Sequence, residues 1–524
     1  MTTFWGVISS PVGPAVVLLI GAFVQVIIGR WVRRPGVLTG LALFFVGLAT
    51  WFYLGLQAAP VVPTYSQPWQ LMLQAGFNLL WIGDGWNWYI SGLLLLLGGV
   101  GILLTLNSPQ PTAPIASERR VHATLAVHLG VLAAGLLFVG SGNLLTATLT
   151  WVVLDVLILL RSAVQTEHSR AAFQLAPQNQ AKGLSLIGAM FLLIGLLPAG
   201  PSGPGQPLQG GILPLETIAL MLLAGAIRAG VYPFHLWLLP SDQKRVNVSE
   251  RLLDHMVPVL CGLWLLGWTI ELGGQLVLLR PDVLALMILA ILGSALAAWT
   301  SQDQPNHTTF VLITSVGVAA LSSALAHTPG PRGLIWPTTA FALGGALWLV
   351  GEQAWETWGW QIPVSVGALA LAGVPFTPGF LGQPALARLL TAGSFFVIFF
   401  LIYVAAQSIQ IAALLRSWGA PRANHNSLQP GVVVSLLVAS IALGLPLAIA
   451  GFLPRMLASL ANLTDAIPPL LGNPPNVVAE GPVWIALVTP LLMGITLVML
   501  RPYYWHLLGA WPQQINRVTR LEWL

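Results

Sequence analysis

The chain has 524 residues, of which 56% are hydrophobic and only 7% are charged, and its formal net charge is +5. Soluble domains carry about 25% charged residues, so this composition excludes a water-soluble globular protein. Many runs reach the roughly 20 apolar residues that a helix needs to cross a bilayer. The alternating segments of about ten residues that are typical of a membrane β-barrel are not visible. We therefore predict an all-α, polytopic, integral membrane protein.

The apolar runs predict about 14–15 transmembrane helices. Their approximate limits are 11–29, 36–57, 88–106, 121–140, 142–162, 183–200, 212–232, 252–271, 283–300, 307–326, 334–352, 362–383, 390–415, 430–451 and 482–500. Basic residues follow the first run and none precedes it, which favours an uncleaved helix over a signal peptide. The stretches 58–80 and 453–480 are predicted to be extramembrane or interfacial connections.

The distribution of Lys and Arg predicts the orientation in the membrane. With the N-terminus outside, sixteen of these residues fall on the inner side and four on the outer side, and Arg228 lies within a span. This imbalance fits the positive-inside rule. The positive net charge is therefore assigned to the inner face of a bacterial plasma membrane or an equivalent energy-transducing membrane, and nucleic acid is not an expected partner.

Few residues suggest chemistry of the chain's own. The single cysteine, Cys261, excludes an internal disulfide and a cysteine-built zinc or iron–sulfur site. No nucleotide-binding loop, metal-ligand spacing or nucleophile–base arrangement is present. We predict no catalytic centre, no metal and no cofactor in this chain.

An internal echo indicates interrupted helices. The sequence "GVYPF", which contains Pro233 and Phe234, recurs as "GVPF", which contains Pro375 and is followed by Pro378. Gly and Pro together interrupt a helix, which a membrane tolerates only where protein or water satisfies the freed backbone groups. Paired interruptions in two halves are typical of transporters built from repeats.

Ionisable residues within the predicted spans are scarce. They are His128, Asp155, Arg161, Arg228, Asp254 and His255, with Glu216 near the end of a span. A charge at the bilayer centre costs at least about 2.5–3.5 kcal/mol, so each needs a partner or water. Arg161 and Glu216 are close enough to the interface to snorkel. Asp254 and His255 are either part of an ion path or a charge cluster at the entry of the eighth helix.

Several stretches resemble the antiporter-like, proton-conducting membrane subunits of respiratory complex I and its relatives. Members carry a lysine shortly before a Pro-Phe-His-x-Trp-Leu-Pro motif on a broken seventh helix, and this chain reads "RAGVYPFHLWLLP". The stretches "IGDGWNWYISGLLLLLGG", "SGNLLTATLTW", "NVSERLLDH", "PTTAFALGGALWLVG" and "LALAGVPFTPGFLGQ" resemble other family segments, in the family's order, over about residues 80–400. The resemblance implies two inverted five-helix repeats, over about 121–271 and 283–415. Terminal helices are expected at 1–110 and 430–524.

The family's chain of titratable residues across the membrane is not retained. The resemblance places its glutamate and its lysines or histidine on other residues: Val152, Arg228, Leu260 (or Val259), Thr339, Leu343 and Gln383. The only lysines, Lys182 and Lys244, fall in predicted loops. A buried lysine can lose its proton because burial lowers its pKa. Arginine stays protonated and forms rigid ion pairs instead.

Arg228 therefore needs an anion, and Asp155 is the candidate. Asp155 lies three residues beyond Val152, so we expect the two on one helix face. We predict an Asp155–Arg228 pair that docks the fifth helix on the seventh, with a working relay as the alternative. His235, beside the interruption, is either a relay or gate, or a histidine that satisfies backbone freed by Pro233.

We expect a membrane-arm subunit of a complex I-like NAD(P)H- or ferredoxin-quinone oxidoreductase, with weak or absent proton conduction and with redox chemistry in partner subunits. Two other classes stay open. One is a subunit of a cation/proton antiporter or of an inorganic-carbon uptake complex. The other is a purely structural membrane scaffold. Lipid and other membrane subunits are the expected partners, and protons are a possible cargo.

Overall fold

The computed structural model describes residues 4–32, 34–57, 62–69, 78–107, 114–166, 177–200, 203–239, 247–274, 280–418, 430–463, 466, 481–504 and 511–520. The helices up to the middle of the chain are α1 Phe4–Ile8, α2 Gly13–Ile28, α3 Pro35–Gln57, α4 Gly85–Leu104, α5 Pro114–Val139, α6 Leu144–Thr166, α7 Pro177–Gly195, α8 Leu215–Ala229 and α9 Val248–Gly273. Short 3-10 turns lie at Thr105–Asn107, Gly203–Gly205 and Leu236–Leu238.

The later helices complete the bundle. They are α10 Pro281–Thr300, α11 Gln304–Leu325, α12 Pro331–Trp358, α13 Ile362–Ala372, α14 Pro378–Leu381, α15 Gln383–Thr391, α16 Phe396–Trp418, α17 Pro430–Phe452, α18 Pro454–Leu460, α19 Gly481–Tyr504 and α20 Trp511–Arg520. The strands β1 Thr64–Pro68 and β2 Asn78–Ile82 form an antiparallel hairpin. A helix lies within every predicted span, and the fold is all-α apart from this hairpin.

Eleven helices of the described part of the chain are long and apolar enough to cross a membrane. The other four predicted spans fall on the shorter helices α2, α7, α8 and α13. Because α8 and α13 each end at an interruption, their spans are divided between two segments. The chain is an integral, multi-pass membrane protein.

The repeated motif, GVYPF and GVPF, lies at two helix ends that have the same geometry. α8 ends at Gly230, whose φ is +65°, and the amides of Gly230 and Val231 donate to the carbonyls of Ile227 and Ala226. α13 ends at Gly373, with φ +74°, and Gly373 and Val374 donate to Ala370 and Leu369 in the same pattern. Both are Schellman ends, which glycine favours because it adopts positive φ without strain. The echo therefore reports a repeated structural break.

Two other helices widen locally within their length. α9 contains a π-helical segment at Arg251–Met256, and α12 contains one at Ala340–Gly345. Single π turns inside α-helices are frequent at functional sites, because the extra residue changes the direction of the side chains that follow. The first of these segments carries Asp254 and His255.

Most buried apolar residues form one continuous cluster that extends from α2 to α19. A smaller cluster joins α10, α11, α15, α16 and α19. The hairpin lies at the end of the bundle where α5 stops and α6 starts, since the amide of Ile82 donates to Gly140 and that of Gly142 donates to Leu80. It occupies part of the connection expected at 58–80, and its strands were not predicted.

Candidate functional site

The structure brings Asp155 of α6 and Arg228 of α8 together in the interior of the bundle. Their side chains are 3% and 1% exposed, and Arg228 Nη1 lies 2.7 Å from Asp155 Oδ1. Ser185 of α7 donates its hydroxyl to the same oxygen at 2.9 Å. Trp151 donates its indole N–H to Asp155 Oδ2 at 2.8 Å. The carboxylate thus accepts three hydrogen bonds and links three helices.

The same indole also stabilises the cation. The guanidinium carbon of Arg228 lies 4.1 Å from the centre of the Trp151 ring, which is a cation–π contact. Trp151 and Asp155 are four residues apart, so they share the inward face of α6. Val152 is 37% exposed. The expectation that Val152 and Asp155 share a face was therefore wrong, because the inward stripe runs through Trp151, Leu154 and Asp155.

A small cavity adjoins the pair. It is lined by Asp155, Ser185, Arg228 and Trp237 together with three apolar side chains, and its volume is about 20 Å³. One water molecule needs roughly 10–15 Å³ and two or more polar partners. Arg228 Nε and Nη2 have no hydrogen-bond partner among the described residues. The cavity is thus large enough and polar enough for a water that completes the shell of the guanidinium.

A second buried ion pair joins α6 to α9. Arg161 Nη1 contacts Asp254 Oδ1, and the two side chains are 2% and 27% exposed. The expectation that Arg161 snorkels to the interface was wrong, because α6 continues to Thr166 and keeps Arg161 inside the bundle. α6 therefore contributes an acid to one pair and a base to the other.

We expect Arg161→Gln to destabilise the protein less than removal of Arg228 does. Asp254 keeps partial access to water, so it remains solvated when its partner is lost, whereas Asp155 does not. Thermal melting of the purified complex compares the two variants. Equal loss of stability in both would contradict this ranking.

Two buried histidines lie near these pairs. His128 is 2% exposed and His235 is 0% exposed. Neither ring nitrogen of either residue makes a hydrogen bond of normal geometry within the described ranges. His235 stacks on Tyr232 at 4.9 Å and meets Phe310 at 5.1 Å, beside the backbone of Pro233. The His235 imidazole is packed between aromatic side chains, and its role as a relay or gate stays a prediction.

Asp254 and His255 lie on the π-helical turn of α9, near the interface with the second half of the bundle. His255 lines a cavity of about 20 Å³ with Arg251 and Thr309. In the later helices, Glu352 of α12 accepts a hydrogen bond from the side-chain amide of Gln304, the first residue of α11, at 2.7 Å. Arg251 is close enough to Glu352 and Glu356 to interact electrostatically with both. Charged groups of α9 therefore lie close to charged groups of α12.

The positions where the family has titratable residues are otherwise filled without charge. Leu260 and Leu343 are 0% and 2% exposed and belong to the main apolar cluster. Thr339 shares a hydrogen bond with the Tyr89 hydroxyl. Gln383 is 3% exposed and starts α15. Beside the Trp151 ring, edge-to-face aromatic contacts continue through Phe138 to Trp264, with ring centres 5.6 and 4.9 Å apart.

Some contributors to the site were missed in the sequence. Ser185 is a small residue in an apolar run and carries no signal of its partner. Trp237 donates to the carbonyl of Ile227 at 2.9 Å and so supports the end of α8. It belongs to the recognised motif, but only the fold shows that the motif folds back over the pair.

Comparisons with known proteins agree with this architecture. No protein-family model and no curated protein matches the sequence. A chain of the Mrp complex from a Dietzia species matches with a TM-score of 0.68 and 16% identity, over 96% of this chain and 56% of that one. A chain of the membrane-bound sulfane sulfur reductase, an archaeal respiratory membrane complex, matches with a TM-score of 0.62 and 15% identity, over 83% and 75%.

The chain shares the fold of these two matched chains, and the predicted all-α, multi-pass membrane fold is confirmed. The chain spans only 56% of the length of the matched Mrp chain. Both matched chains come from complexes, the second of them a respiratory membrane complex.

Proposed function

We propose that this chain is a membrane-arm, antiporter-like subunit of a complex I-like proton-translocating oxidoreductase, with reduced or absent proton conduction of its own. The observation that carries the proposal is the replacement of titratable lysines by packed leucines and by an arginine ion pair. Leu260 and Leu343 cannot bind a proton, and Arg228, a residue type that carries protons poorly, is paired with Asp155. Electron transfer is assigned to partner subunits.

The proton-carrying capacity of what remains is small. The Asp155 carboxylate lies 2.7 Å from the Arg228 guanidinium and accepts two further hydrogen bonds, from Trp151 and Ser185. A relay group must pass its proton to a neighbour, and these three contacts hold the carboxylate among hydrogen-bond donors. The edge-to-face aromatic contacts from Trp151 through Phe138 to Trp264 also occupy the interior beside the pair.

A second candidate function is a subunit of a cation/proton antiporter, and the likeness to a chain of the Mrp complex favours it. A titratable route would then have to use the charged groups near the π-helical turn, Asp254 and His255 above all. An inorganic-carbon uptake complex and a structural scaffold are further alternatives. Purification of the native complex separates them: redox subunits support the main proposal, and other antiporter-type subunits support the second.

The test of conduction is proton flux in vesicles that contain the intact complex. We expect the number of protons moved per turnover to stay unchanged in Asp254→Asn, in His255→Gln and in the double variant Asp155→Asn with Arg228→Gln. These changes remove a charge or a titrating group, and the Asp→Asn changes keep the volume of the side chain. The exposed variant Asp282→Asn is the matched control. A lower proton yield in an assembled complex would show that the chain conducts.

A further inference from the structure

Three buried glutamines meet beside the break that follows α13. Gln383 starts α15, and Gln407 and Gln410 lie one turn apart on α16. Their side chains are 3%, 2% and 1% exposed. The carboxamide oxygen of each is buried and has no hydrogen-bond partner among the described residues. Such groups are costly to bury unless something satisfies them.

The three side chains line one cavity of about 20 Å³, together with Ser315 and with Gly373 at the end of α13. Gln410 donates its amide N–H to the Ser315 hydroxyl at 2.8 Å, which fixes which end of that amide is the free acceptor. The Tyr403 hydroxyl, also fully buried and without a hydrogen bond of normal geometry within the described ranges, lies beside Gln383. The three carboxamides and the Ser315 hydroxyl are therefore the polar side chains of the lining, and the other lining residues are apolar or glycine.

The position of the cavity adds to its preference for positive charge. It lies at the C-terminal end of α13, where the carbonyl groups of a helix carry a partial negative charge. In membrane transporters, ends of interrupted helices of this kind coordinate cations. The nearest charged residue along α15, Arg388, directs its Nη1 to the carbonyl of Leu325 at 2.6 Å.

We propose that this cavity binds a dehydrated monovalent alkali cation through the carboxamide oxygens of Gln383, Gln407 and Gln410. Hard oxygen ligands suit such ions. All of the residues lining the cavity are uncharged, so they cannot balance the double positive charge of a divalent ion. No group of three His, Cys, Asp or Glu residues within the described ranges offers an alternative metal site. The proposal is independent of whether the complex moves protons.

The test is the melting temperature of the purified intact complex in NaCl or KCl, compared with choline chloride at equal ionic strength, together with equilibrium binding of radioactive Na⁺. We expect an alkali cation to raise the melting temperature by on the order of 2 °C at saturation. Gln383→Leu and Gln407→Leu should abolish both the shift and the binding. Gln25→Leu is the matched control, since Gln25 is fully buried in α2 and its carboxamide oxygen has no partner within the described ranges either.

Equal stability in sodium, potassium and choline salts would show that water alone fills the cavity, and this would overturn the proposal. Retention of the cation effect in both leucine variants would overturn it as well. If the leucine variants do not assemble, Gln383→Glu decides. A carboxylate in the shell should tighten Na⁺ binding about tenfold or more, and unchanged affinity would contradict the site.

Discussion

Arg228→Ala is expected to remove most of this subunit from its assembled complex. The variant leaves the Asp155 carboxylate 3% exposed and without its cation, with only the indole of Trp151 and the hydroxyl of Ser185 as donors. Loss of one partner of a buried ion pair costs about 3–5 kcal/mol, because the remaining charge is neither solvated nor paired. The net stability of a domain is only about 5–15 kcal/mol. Quantitative co-purification with the partner subunits measures the loss.

The double variant Asp155→Leu with Arg228→Met separates charge from packing. Replacing both partners of a buried pair by apolar groups is often neutral or stabilising. We expect the double variant to restore assembly that either single change destroys. The exposed pair Arg280–Asp282, with the same 2.7 Å separation but side chains 47% and 59% exposed, is the control. Arg280→Ala should leave assembly unchanged. Normal assembly of Arg228→Ala would show that the pair does not dock α6 on α8.

The Asp155–Arg228 contact could be anticipated because so few charges lie deep in the chain. Asp155 lies in the fifth apolar span and Arg228 in the seventh. Because an isolated charge in a membrane is costly, a contact between this acid and this base was the expected arrangement. The detailed face could not be anticipated. Residues three apart on an α-helix point in directions that differ by about 60° around the helix axis. Only the packing of α6 therefore decides that Trp151 and Asp155 point inward while Val152 faces out.

The glutamine cavity shows the opposite case. Gln383 falls at a position where the resemblance places a titratable residue. No motif or spacing in the sequence marks Gln407 or Gln410. Neutral amides in an apolar helix have no spacing that predicts a partner on another helix. Their convergence depends on the break after α13 and on the packing of α16 beside it. Arg161 was misplaced for a related reason, since hydropathy does not show that α6 extends beyond it.

Close approach of α9 to α8 predicts a second large effect, at Gly262. A Cβ atom added there would lie 2.5 Å from Cα of Ala229 and 2.6 Å from the carbonyl carbon of Arg228. Backbone atoms cannot rotate away, so the helices must separate. Small residues at such contacts let membrane helices pack closely. We expect Gly262→Ala to destabilise the protein by at least about 1–3 kcal/mol, the usual cost of overpacking.

Gly262→Ala should disturb the Asp155–Arg228 ion pair as well as the packing of α9 on α8. Because the clash falls on the backbone of Arg228, displacement of α8 draws the guanidinium away from Asp155, and Gly262→Ala should also lower assembly. Gly98→Ala is a graded control, since the three atoms nearest to its Cβ would all belong to the side chain of Leu132, which can move. Gly55→Ala is the neutral control, with no atom within 4 Å of the added carbon. Melting temperatures should fall in the order Gly55, Gly98, Gly262, and an equal effect at Gly98 and Gly262 would refute the backbone contact between α8 and α9.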